Sequence, residues 1–360
     1  MISMFAEETN GLVKIEIGER RLSLNMDSDM VYYSLADRTY RRTRMNDIIE
    51  LRYVNGNREA RVLGEHEKPA IASAFYHDVE LASLQYPELK KYVKDYNFLS
   101  SRGNRIREIY GGRIPIVPPD RYFSLYIKIS DGCPWNRCSF CNLYKDRKYM
   151  PLKMDQIKKE TEELKAFFSN SVPAMNGIFL GDANATSMNS HDLEEILVYL
   201  REEFRMPFYA FSDAFTTPLK NTDFQKLHEL GMKRIYIGIE SGNPNILRML
   251  NKKMDLDVAR EFIREIKKAG INVGLIVMSG FGEEHVKSTI DFLDSIEYSK
   301  GDIVYISPVK EYGNFHDILL NNGIEEDKEI AVKEYEEIRD SLRSGLKIPV
   351  VVYSLDEAMY

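Results

Sequence analysis

The sequence is short of cysteine, of tryptophan and of long apolar segments, and each shortage excludes a class of protein. Its 360 residues include only three cysteines and one tryptophan. No apolar run approaches the roughly 18 residues that a membrane-spanning helix needs. The stretch from Met1 to Gly11 lacks the basic and then apolar order of a secretory signal. An odd number of cysteines, all between positions 133 and 141, does not form the disulfide framework of a secreted chain. We therefore expect a cytoplasmic protein without a membrane partner.

The chain also lacks an excess of positive charge. Its formal net charge is −7, whereas a protein held mainly by nucleic-acid phosphates is usually basic. Two arginine-rich stretches, residues 39–44 and 101–107, leave nucleic acid as an allowed but not a favoured partner. Hydrophobic residues make up 44% of the sequence, which is enough for a sizeable core.

The first 111 residues have the pattern of a small α+β extension. Apolar and polar residues alternate through residues 14–24 on both sides of Gly18 and Glu19. Residues 47–54 and 58–63 flank Asn55-Gly56-Asn57, a turn sequence typical of a β-hairpin. Residues 69–97 are predicted to be helical with a break at Tyr86-Pro87, and residues 111–122 form a linker.

From residue 123 the pattern changes to alternating strands and helices. Predicted strands at 123–130, 177–181, 208–212, 234–240, 272–278 and 303–307 alternate with predicted helices at 153–169, 191–204, 220–230, 244–250, 256–269, 284–297 and 325–343. Such alternation predicts a parallel sheet, and six units are too few for a closed eight-stranded barrel. We expect an α/β protein in which residues 112–320 form a partial (β/α)6 TIM-like barrel. Residues 321–360 would add a helix and a strand.

The cysteines follow the first barrel strand, at the edge of the sheet where such folds carry their chemistry. Cys133, Cys138 and Cys141 can bind three irons of a cubane cluster and leave the fourth iron open to a ligand. A structural zinc site and a plant-type ferredoxin cluster each need a fourth protein ligand, and the chain has no fourth cysteine. Three inert thiols are the remaining alternative.

The segment Cys-Pro-Trp-Asn-Arg-Cys-Ser-Phe-Cys after a strand, within six βα repeats, resembles the radical S-adenosylmethionine (SAM) enzymes over residues 112–320. The commonest spacing in that family is C-x3-C-x2-C, and this chain has one more residue between the first two cysteines. The resemblance implies a [4Fe-4S] cluster and SAM as cofactors. It also implies reductive cleavage of SAM to a 5′-deoxyadenosyl radical, which abstracts hydrogen from a substrate.

The same resemblance suggests which residues contact SAM, each at the end of a barrel strand or in the cysteine loop. Phe140 and Gly280 would border adenine, and the Gly181-Asp182 turn would meet the methionine ammonium. Ser212 and Glu240 would bind ribose hydroxyls, and Lys252 would meet the carboxylate. A glutamate at the end of an apolar strand needs a bonding partner, which favours a functional role for Glu240.

The substrate, and any catalytic residue beyond the cofactor contacts, cannot be identified from these motifs. A reductant such as a flavodoxin or a ferredoxin is implied as a partner. The cysteines suffice for one cluster only, and His66 does not complete a cobalamin-binding pattern. The alternative function is a non-catalytic iron–sulfur electron carrier or a metal-stabilised interaction protein.

Overall fold

The computed structural model describes residues 3–54, 57–112, 114, 116–310, 315–324, 327–345 and 348–353. Two compact units account for these residues. The amino-terminal unit contains the described residues up to Leu125 together with Lys158–Asn176. The barrel unit contains Tyr126–Ile157 and the described residues from Gly177 onward. The predicted domains 1–111, 112–320 and 321–360 remain a proposal.

The amino-terminal unit is built on a seven-stranded sheet in which each strand pairs antiparallel with the next. The strands are β1 (Met4–Thr9), β2 (Leu12–Ile17), β3 (Arg20–Asn25), β4 (Met30–Ser34), β5 (Arg38–Arg42), β6 (Ile48–Val54) and β7 (Asn57–Val62). Helices α1 (Lys68–Ser83) and α2 (Tyr96–Tyr110) follow, separated by a 3-10 turn at Pro87–Tyr92. Alternate side chains of β2, namely Val13, Ile15 and Ile17, share one apolar core with Phe75 and Val79 of α1.

The sequence patterns for this unit are largely confirmed. Strands flank Gly18 and Glu19, two strands form the second predicted hairpin, and the helical segment breaks before Pro87. The turn residues Asn55 and Gly56 lie outside the described residues. Helix α2 was not predicted, because glycine and arginine interrupt its apolar pattern. Gly103 lets α2 pack closely, since a Cβ there would lie 2.5 Å from the Cβ of Asn46.

The arginines of the two basic stretches are engaged within this unit. Arg42 and Arg102 form ion pairs with Asp29, at 3.4 and 2.7 Å respectively. Arg105 pairs with Glu163 at 3.0 Å. These residues therefore have a structural role that accounts for them without a phosphate ligand.

The barrel unit contains a second seven-stranded sheet, with its strands side by side in chain order. They are β8 (Leu125–Lys128), β11 (Ile178–Gly181), β12 (Phe208–Ser212), β13 (Met232–Glu240), β14 (Asn272–Ser279), β15 (Ile303–Pro308) and β16 (Val350–Val352). Pairing from β11 to β16 is parallel throughout. Two short strands, β9 (Ser130–Asp131) and β10 (Met150–Pro151), form a separate antiparallel pair. The predicted partial barrel is confirmed, and β16 is the strand expected near the carboxyl end.

Helices connect successive strands as the periodicity predicts. They are α3 (Met154–Phe167), α4 (Ser190–Phe204), α5 (Asn221–Leu230), α6 (Pro244–Met249), α7 (Leu256–Lys268), α8 (Glu283–Asp294), α9 (Phe315–Asn321) and α10 (Lys328–Gly345). The sequence did not predict the short helix α9. Within the described part of the chain, no helix combines the length and apolarity needed to cross a membrane.

Parallel pairing places the carboxyl ends of β11–β15 at one edge of the sheet. The Ile129 amide, directly after β8, donates to the carbonyl of Gly181 at the end of β11 at 2.9 Å. The strands themselves are almost wholly buried, with Leu180, Ile237 and Leu275 fully inaccessible. Polar side chains are concentrated instead in the loops that leave this edge. The candidate site is built from these loops.

Candidate active site

The three cysteines lie on the irregular loop that follows β8 and passes through β9. Cys133, Cys138 and Cys141 are each partly buried and form no disulfide. Burial raises the pKa of all three thiols, that of Cys138 to about 12. Such thiols keep their protons until a cation replaces them, so metal binding here would release protons.

Hydrogen bonds to backbone carbonyls give this cysteine loop its shape. The Asn136 side chain donates to the carbonyls of Tyr144 and Arg147, at 2.6 and 3.0 Å. The ammonium of Lys145 donates to the carbonyls of Asn136 and Cys138, each at 3.1 Å. The antiparallel pair β9–β10 joins the two ends of the loop. Hydrogen bonds and the pairing of its ends therefore shape the loop, and its cysteines form no disulfide.

The number of thiols fits one of the metal sites considered from the sequence. A structural zinc site and a plant-type ferredoxin cluster each need a fourth protein ligand. A cubane cluster with one open iron needs three thiolates. Three partly buried thiols without a fourth cysteine fit a [4Fe-4S] cluster with one open iron.

The cysteine loop is attached to the turn that follows α6. The Trp135 indole donates to the Asn251 carbonyl at 2.9 Å, and the Asn251 side chain donates back to the Arg137 carbonyl at 2.9 Å. The Ser139 amide donates to the Leu250 carbonyl at 2.9 Å. Sequence reasoning missed this attachment, because nothing in the spacing joins segments more than 100 residues apart.

The same turn carries Lys252, whose ammonium donates to Glu240 at 2.6 Å. Both side chains are nearly inaccessible, at 8% exposed for Lys252 and 10% for Glu240. Burial alone would lower the pKa of Lys252, but the charges of Glu240 and other acidic groups outweigh it and raise that pKa. The two groups also act on the pKa of Cys138, so they lie in the neighbourhood of the cysteine loop. The structure thus brings together two residues that the sequence proposed separately.

The backbone near Glu240 explains how the pair fits at the end of a strand. The pairing of β13 with β14 shifts between Gly238 and Glu240, and Glu240 has a φ of +63°. A side chain at Gly238 would collide with both partners of the ion pair. A bulge and a strained backbone of this kind are common next to functional sites.

Asp182 is buried under the base of the cysteine loop. Its carboxylate accepts hydrogen bonds from the Tyr126 hydroxyl, from the Gly132 amide at 3.3 Å and from Arg147 at 3.4 Å. Burial raises the pKa of Asp182 against the lowering effect of Tyr126 and Arg147. Gly181 has no room for a side chain, because a Cβ would overlap the Tyr126 hydroxyl. The carboxylate predicted to meet the SAM ammonium therefore binds both ends of the loop.

Ser212 belongs to a network of buried hydroxyl groups after β11 and β12. Its hydroxyl lies 2.6 Å from that of Thr186 and 3.1 Å from that of Thr217. Asn184 joins the network by donating to Thr217 and to Asp213, at 3.3 and 3.0 Å. The sequence suggested Ser212, but it did not show that Asn184 and two threonines share the same site.

Gly280, with a φ of +106°, starts a turn of three consecutive backbone amides that point at one carboxylate. The amides of Gly280, Phe281 and Gly282 donate to buried Glu334 of α10, the last two at 3.0 and 2.7 Å. Glu334 was not predicted as a site residue. An amide cradle of this kind binds anions, and here α10 supplies the anion.

Phe140 packs in a small apolar cluster at the same edge of the sheet. Its ring lies 6.3 Å from that of Phe315, in α9, at an interplanar angle of 62°. Leu250, Met278 and Phe281 belong to the same cluster. Phe140 therefore provides an apolar wall that links the cysteine loop to the turn after α6 and to the end of β14.

The fold and this loop define a class of protein: a partial βα barrel that carries three cysteines after its first strand. Residues 127–293 match the model of the radical SAM superfamily. This match covers the cysteine loop and the strand ends from β11 to β14. This segment of the chain is therefore similar to the radical SAM superfamily.

Several proteins of known identity are similar to parts of this chain. The heme chaperone HemW of Buchnera aphidicola subsp. Schizaphis graminum is 23% identical over 192 residues, 51% of this chain and 49% of that protein. The 4′-phospho-dehydrooxetanocin synthase of Priestia megaterium is 26% identical over 223 residues, 55% of this chain and 29% of that one. The solved coproporphyrinogen III oxidase (HemN) of Escherichia coli aligns with a TM-score of 0.46 and 14% identity, over 62% of this chain and 54% of that one. The chain spans about half or less of the length of these curated relatives.

Proposed function

We propose that this chain is a radical SAM enzyme that reductively cleaves SAM at a [4Fe-4S] cluster and abstracts hydrogen from a substrate. Cys133, Cys138 and Cys141 would bind the cluster. The observation that supports this most is the loop of three partly buried thiols after β8, within the segment that matches the superfamily. When bound, the cluster supplies the electron that breaks a carbon–sulfur bond of SAM and yields the 5′-deoxyadenosyl radical.

Lys252 and Glu240 are suited to hold the polar groups of SAM while paired with each other. An ammonium has three hydrogen-bond donors, and Glu240 takes one of them through Oε1. Two donors of Lys252 remain for the SAM carboxylate, and Oε2 of Glu240 remains for ribose hydroxyls. The pair is fixed before the ligand arrives, which lowers the entropic cost of orienting it.

The other predicted site residues have two kinds of role, contact with SAM and positioning of the cysteine loop. Phe140 and the turn at Gly280 would border the adenine ring, and Ser212 would bind a ribose hydroxyl through its network. Gly181 and Asp182 act on the loop itself, since the Asp182 carboxylate binds Gly132 and Arg147. We therefore assign Asp182 to positioning the cysteine loop, in addition to the ammonium contact expected from the resemblance.

The proposed enzyme needs a substrate and a reductant. Superfamily members generally need both, and a flavodoxin or a ferredoxin would supply electrons at a low enough potential. Free thiols that must stay reduced suit the cytoplasm, where we place the protein. The substrate is not identified, and nucleic acid is not favoured because the arginine-rich stretches are engaged within the protein.

The test is anaerobic reconstitution with iron and sulfide, followed by reduction with dithionite in the presence of SAM. We expect about four irons per chain and the formation of 5′-deoxyadenosine, measured by mass spectrometry. The Cys138→Ala variant should lose both the irons and the formation of 5′-deoxyadenosine. Its circular dichroism spectrum should still be that of a folded chain. A chain that binds a full cluster but never cleaves SAM would instead support the electron-carrier alternative.

Lys252→Met separates SAM binding from cluster binding. The Lys252→Met variant should keep the iron content of the parent, because Lys252 is not one of the cysteines that bind the cluster. Its affinity for SAM should fall by about tenfold. Lys226→Met is the matched control, since Lys226 lies exposed on α5 and pairs with the exposed Glu229 at 3.7 Å. Unchanged SAM affinity in Lys252→Met would refute the assignment of this residue.

A further inference from the structure

One buried hydroxyl of the cysteine loop has no hydrogen-bond partner. Tyr144 follows Cys141 on this loop and is 4% exposed. Its hydroxyl oxygen is inaccessible and makes no hydrogen bond with any residue that the structure describes. Buried polar groups in native proteins are nearly always bonded, to the protein, to water or to a ligand. The Tyr144 hydroxyl is therefore a donor whose acceptor has still to be identified.

The rest of Tyr144 is held in place. Its carbonyl accepts from the Asn136 side chain at 2.6 Å and from the Arg147 amide at 3.0 Å. The guanidinium of Arg147 lies over the Tyr144 ring, 5.4 Å from its centroid. The hydroxyl is thus fixed in position before an acceptor arrives, which lowers the entropic cost of bonding to one.

The hydroxyl lies in the neighbourhood of two loop thiols and keeps its hydrogen. Burial, and after it the charges of Asp182, Cys141 and Cys133, hold the pKa of Tyr144 well above its ordinary value. The phenol therefore stays a donor throughout the neutral pH range. Neither Asp182 nor a thiol accepts from it. A [4Fe-4S] cluster bound by these cysteines would add sulfides to this neighbourhood, and sulfides are acceptors.

The cysteine loop already directs another donor at one of its sulfurs. The backbone amide of Asn136 donates to Sγ of Cys133 at 3.3 Å. Burial raises the pKa of Cys133, and this hydrogen bond opposes the rise because it favours the thiolate. Hydrogen bonds to the sulfurs of a cluster favour its more negative, reduced state in the same way, so they raise its reduction potential.

We propose that the Tyr144 hydroxyl donates to a sulfur of the bound cluster on the side of Cys141 and Cys133, and thereby raises the reduction potential of the cluster. The inference rests on the proposed function, since it needs the cluster. It gives Tyr144 the role of a tuning residue, which makes the cluster easier to reduce by the electron donor.

The test is a redox titration of the reconstituted cluster without SAM, followed by electron paramagnetic resonance. Tyr144→Phe removes the hydroxyl and keeps the ring, so the reduced state should become less favourable. We expect the ratio of reduced to oxidised cluster at a fixed potential to fall by about tenfold, which is a midpoint about 59 mV more negative for one electron.

Tyr298→Phe is the matched control. Tyr298 follows α8, and its hydroxyl is also inaccessible and unbonded among the described residues. Burial and the charges of Asp302 and Asp294 raise the pKa of Tyr298, which places it near those carboxylates. The Tyr298→Phe cluster should have the potential of the parent. Equal potentials in Tyr144→Phe and Tyr298→Phe would overturn the proposal, and so would a shift that appears only after SAM is added.

Stability without the cluster separates this role from a structural one. Because the hydroxyl bonds to no described residue, cluster-free Tyr144→Phe should be at least as stable in urea as the cluster-free parent. With the cluster bound, Tyr144→Phe should lose iron to a chelator several-fold faster than Tyr298→Phe. A folded Tyr144→Phe chain that fails to keep its cluster would also support the contact. A destabilised cluster-free Tyr144→Phe chain would refute it, since the hydroxyl would then have a structural partner.

Failure of this inference is distinguishable from failure of the proposed function. A parent chain that takes up about four irons and cleaves SAM, with an unaltered potential in Tyr144→Phe, would refute only the role of Tyr144. A parent chain that takes up no cluster would refute both.

Discussion

Glu240 and Lys252 form an ion pair that water hardly reaches. Such a pair is costly to disrupt, because removal of one partner leaves the other charge buried without compensation. The raised pKa of Lys252 shows that its charge is stabilised by Glu240 in spite of burial. We therefore expect disruption of this pair to affect stability as well as the proposed binding of SAM.

Glu240→Gln should lower the free energy of unfolding by about 3 kcal/mol in the cluster-free protein, measured by urea denaturation. Glu229→Gln provides the comparison, because its pair with Lys226 is exposed and should be worth less than about 1 kcal/mol. Equal stability of the two variants would show that the buried pair is not a source of stability.

His285 is a second buried polar residue, and it joins the ends of β13 and β14. Its Nε2 lies 2.8 Å from the Met278 carbonyl, and its Nδ1 lies 2.8 Å from the Ser241 hydroxyl. A carbonyl accepts only from a protonated nitrogen, so Nε2 carries the proton and Nδ1 accepts from Ser241. Burial lowers the pKa of His285 below its ordinary value of 6.5, against the opposing charge of Glu334.

The pH dependence of stability follows from this shift. The unfolded chain binds a proton at His285 below about pH 6.5, whereas the folded chain binds it only at a lower pH, so stability falls as the pH decreases from about 6.5. His285→Gln should flatten the slope of unfolding free energy between about pH 5 and 6.5. His191→Gln, at an exposed position on α4, should leave the slope as it is. A His285→Gln slope equal to that of the parent would contradict the assignment.

At the scale of elements, α10 is attached to the barrel by one carboxylate. Glu334 accepts from three successive amides after β14, and the Ser279 hydroxyl donates to the Ala331 carbonyl at 2.9 Å. Three donors on one buried acceptor couple the position of α10 to the turn proposed to border adenine.

Glu334→Gln should weaken this attachment, because a neutral amide has one acceptor oxygen in place of two charged ones. We expect faster hydrogen exchange at the amides of residues 280–282 and a loss of about 2 kcal/mol in unfolding free energy. Glu337→Gln tests the specificity of the effect, since Glu337 is exposed on the same helix. Identical exchange in the two variants would exclude the carboxylate as the attachment.

At the scale of the whole molecule, each unit has an apolar core of its own, and neither core includes a cysteine of the loop. Ile15 and Phe75 are fully buried in the amino-terminal unit, and Phe179 and Ile237 are fully buried in the barrel unit. The cysteine loop is also held by hydrogen bonds that need no metal. We therefore expect both units to stay folded when the cluster is absent.

Cys138→Ala should consequently keep the far-ultraviolet circular dichroism and the urea midpoint of the cluster-free parent, while its iron content falls. Structural metal sites behave differently, since loss of a ligand unfolds the domain. Global unfolding of Cys138→Ala would indicate a structural metal and would contradict the proposed open cluster.

Much of the barrel could be predicted from the sequence, because buried parallel strands alternate with amphipathic helices at regular spacing. Strand β12 and helix α5 lie within a residue of their predicted bounds. Helix α2 was not predicted, because Gly103 interrupts its apolar pattern. Only the structure shows that this glycine allows α2 to pack closely on Asn46. The cysteine loop was visible as a local motif, whereas Glu334 and Asn251 were not, since their partners lie far away in the chain.

The attachment of Trp135 to Asn251 has an optical consequence. Trp135 is the only tryptophan of the chain, and it lies between two of the loop cysteines while its indole binds the turn before Lys252. Its ultraviolet emission therefore comes from a single place, in direct contact with both the loop and the neighbouring turn. Quenching of the Trp135 emission would therefore report the binding of a cluster to the cysteine loop in real time, without any added label.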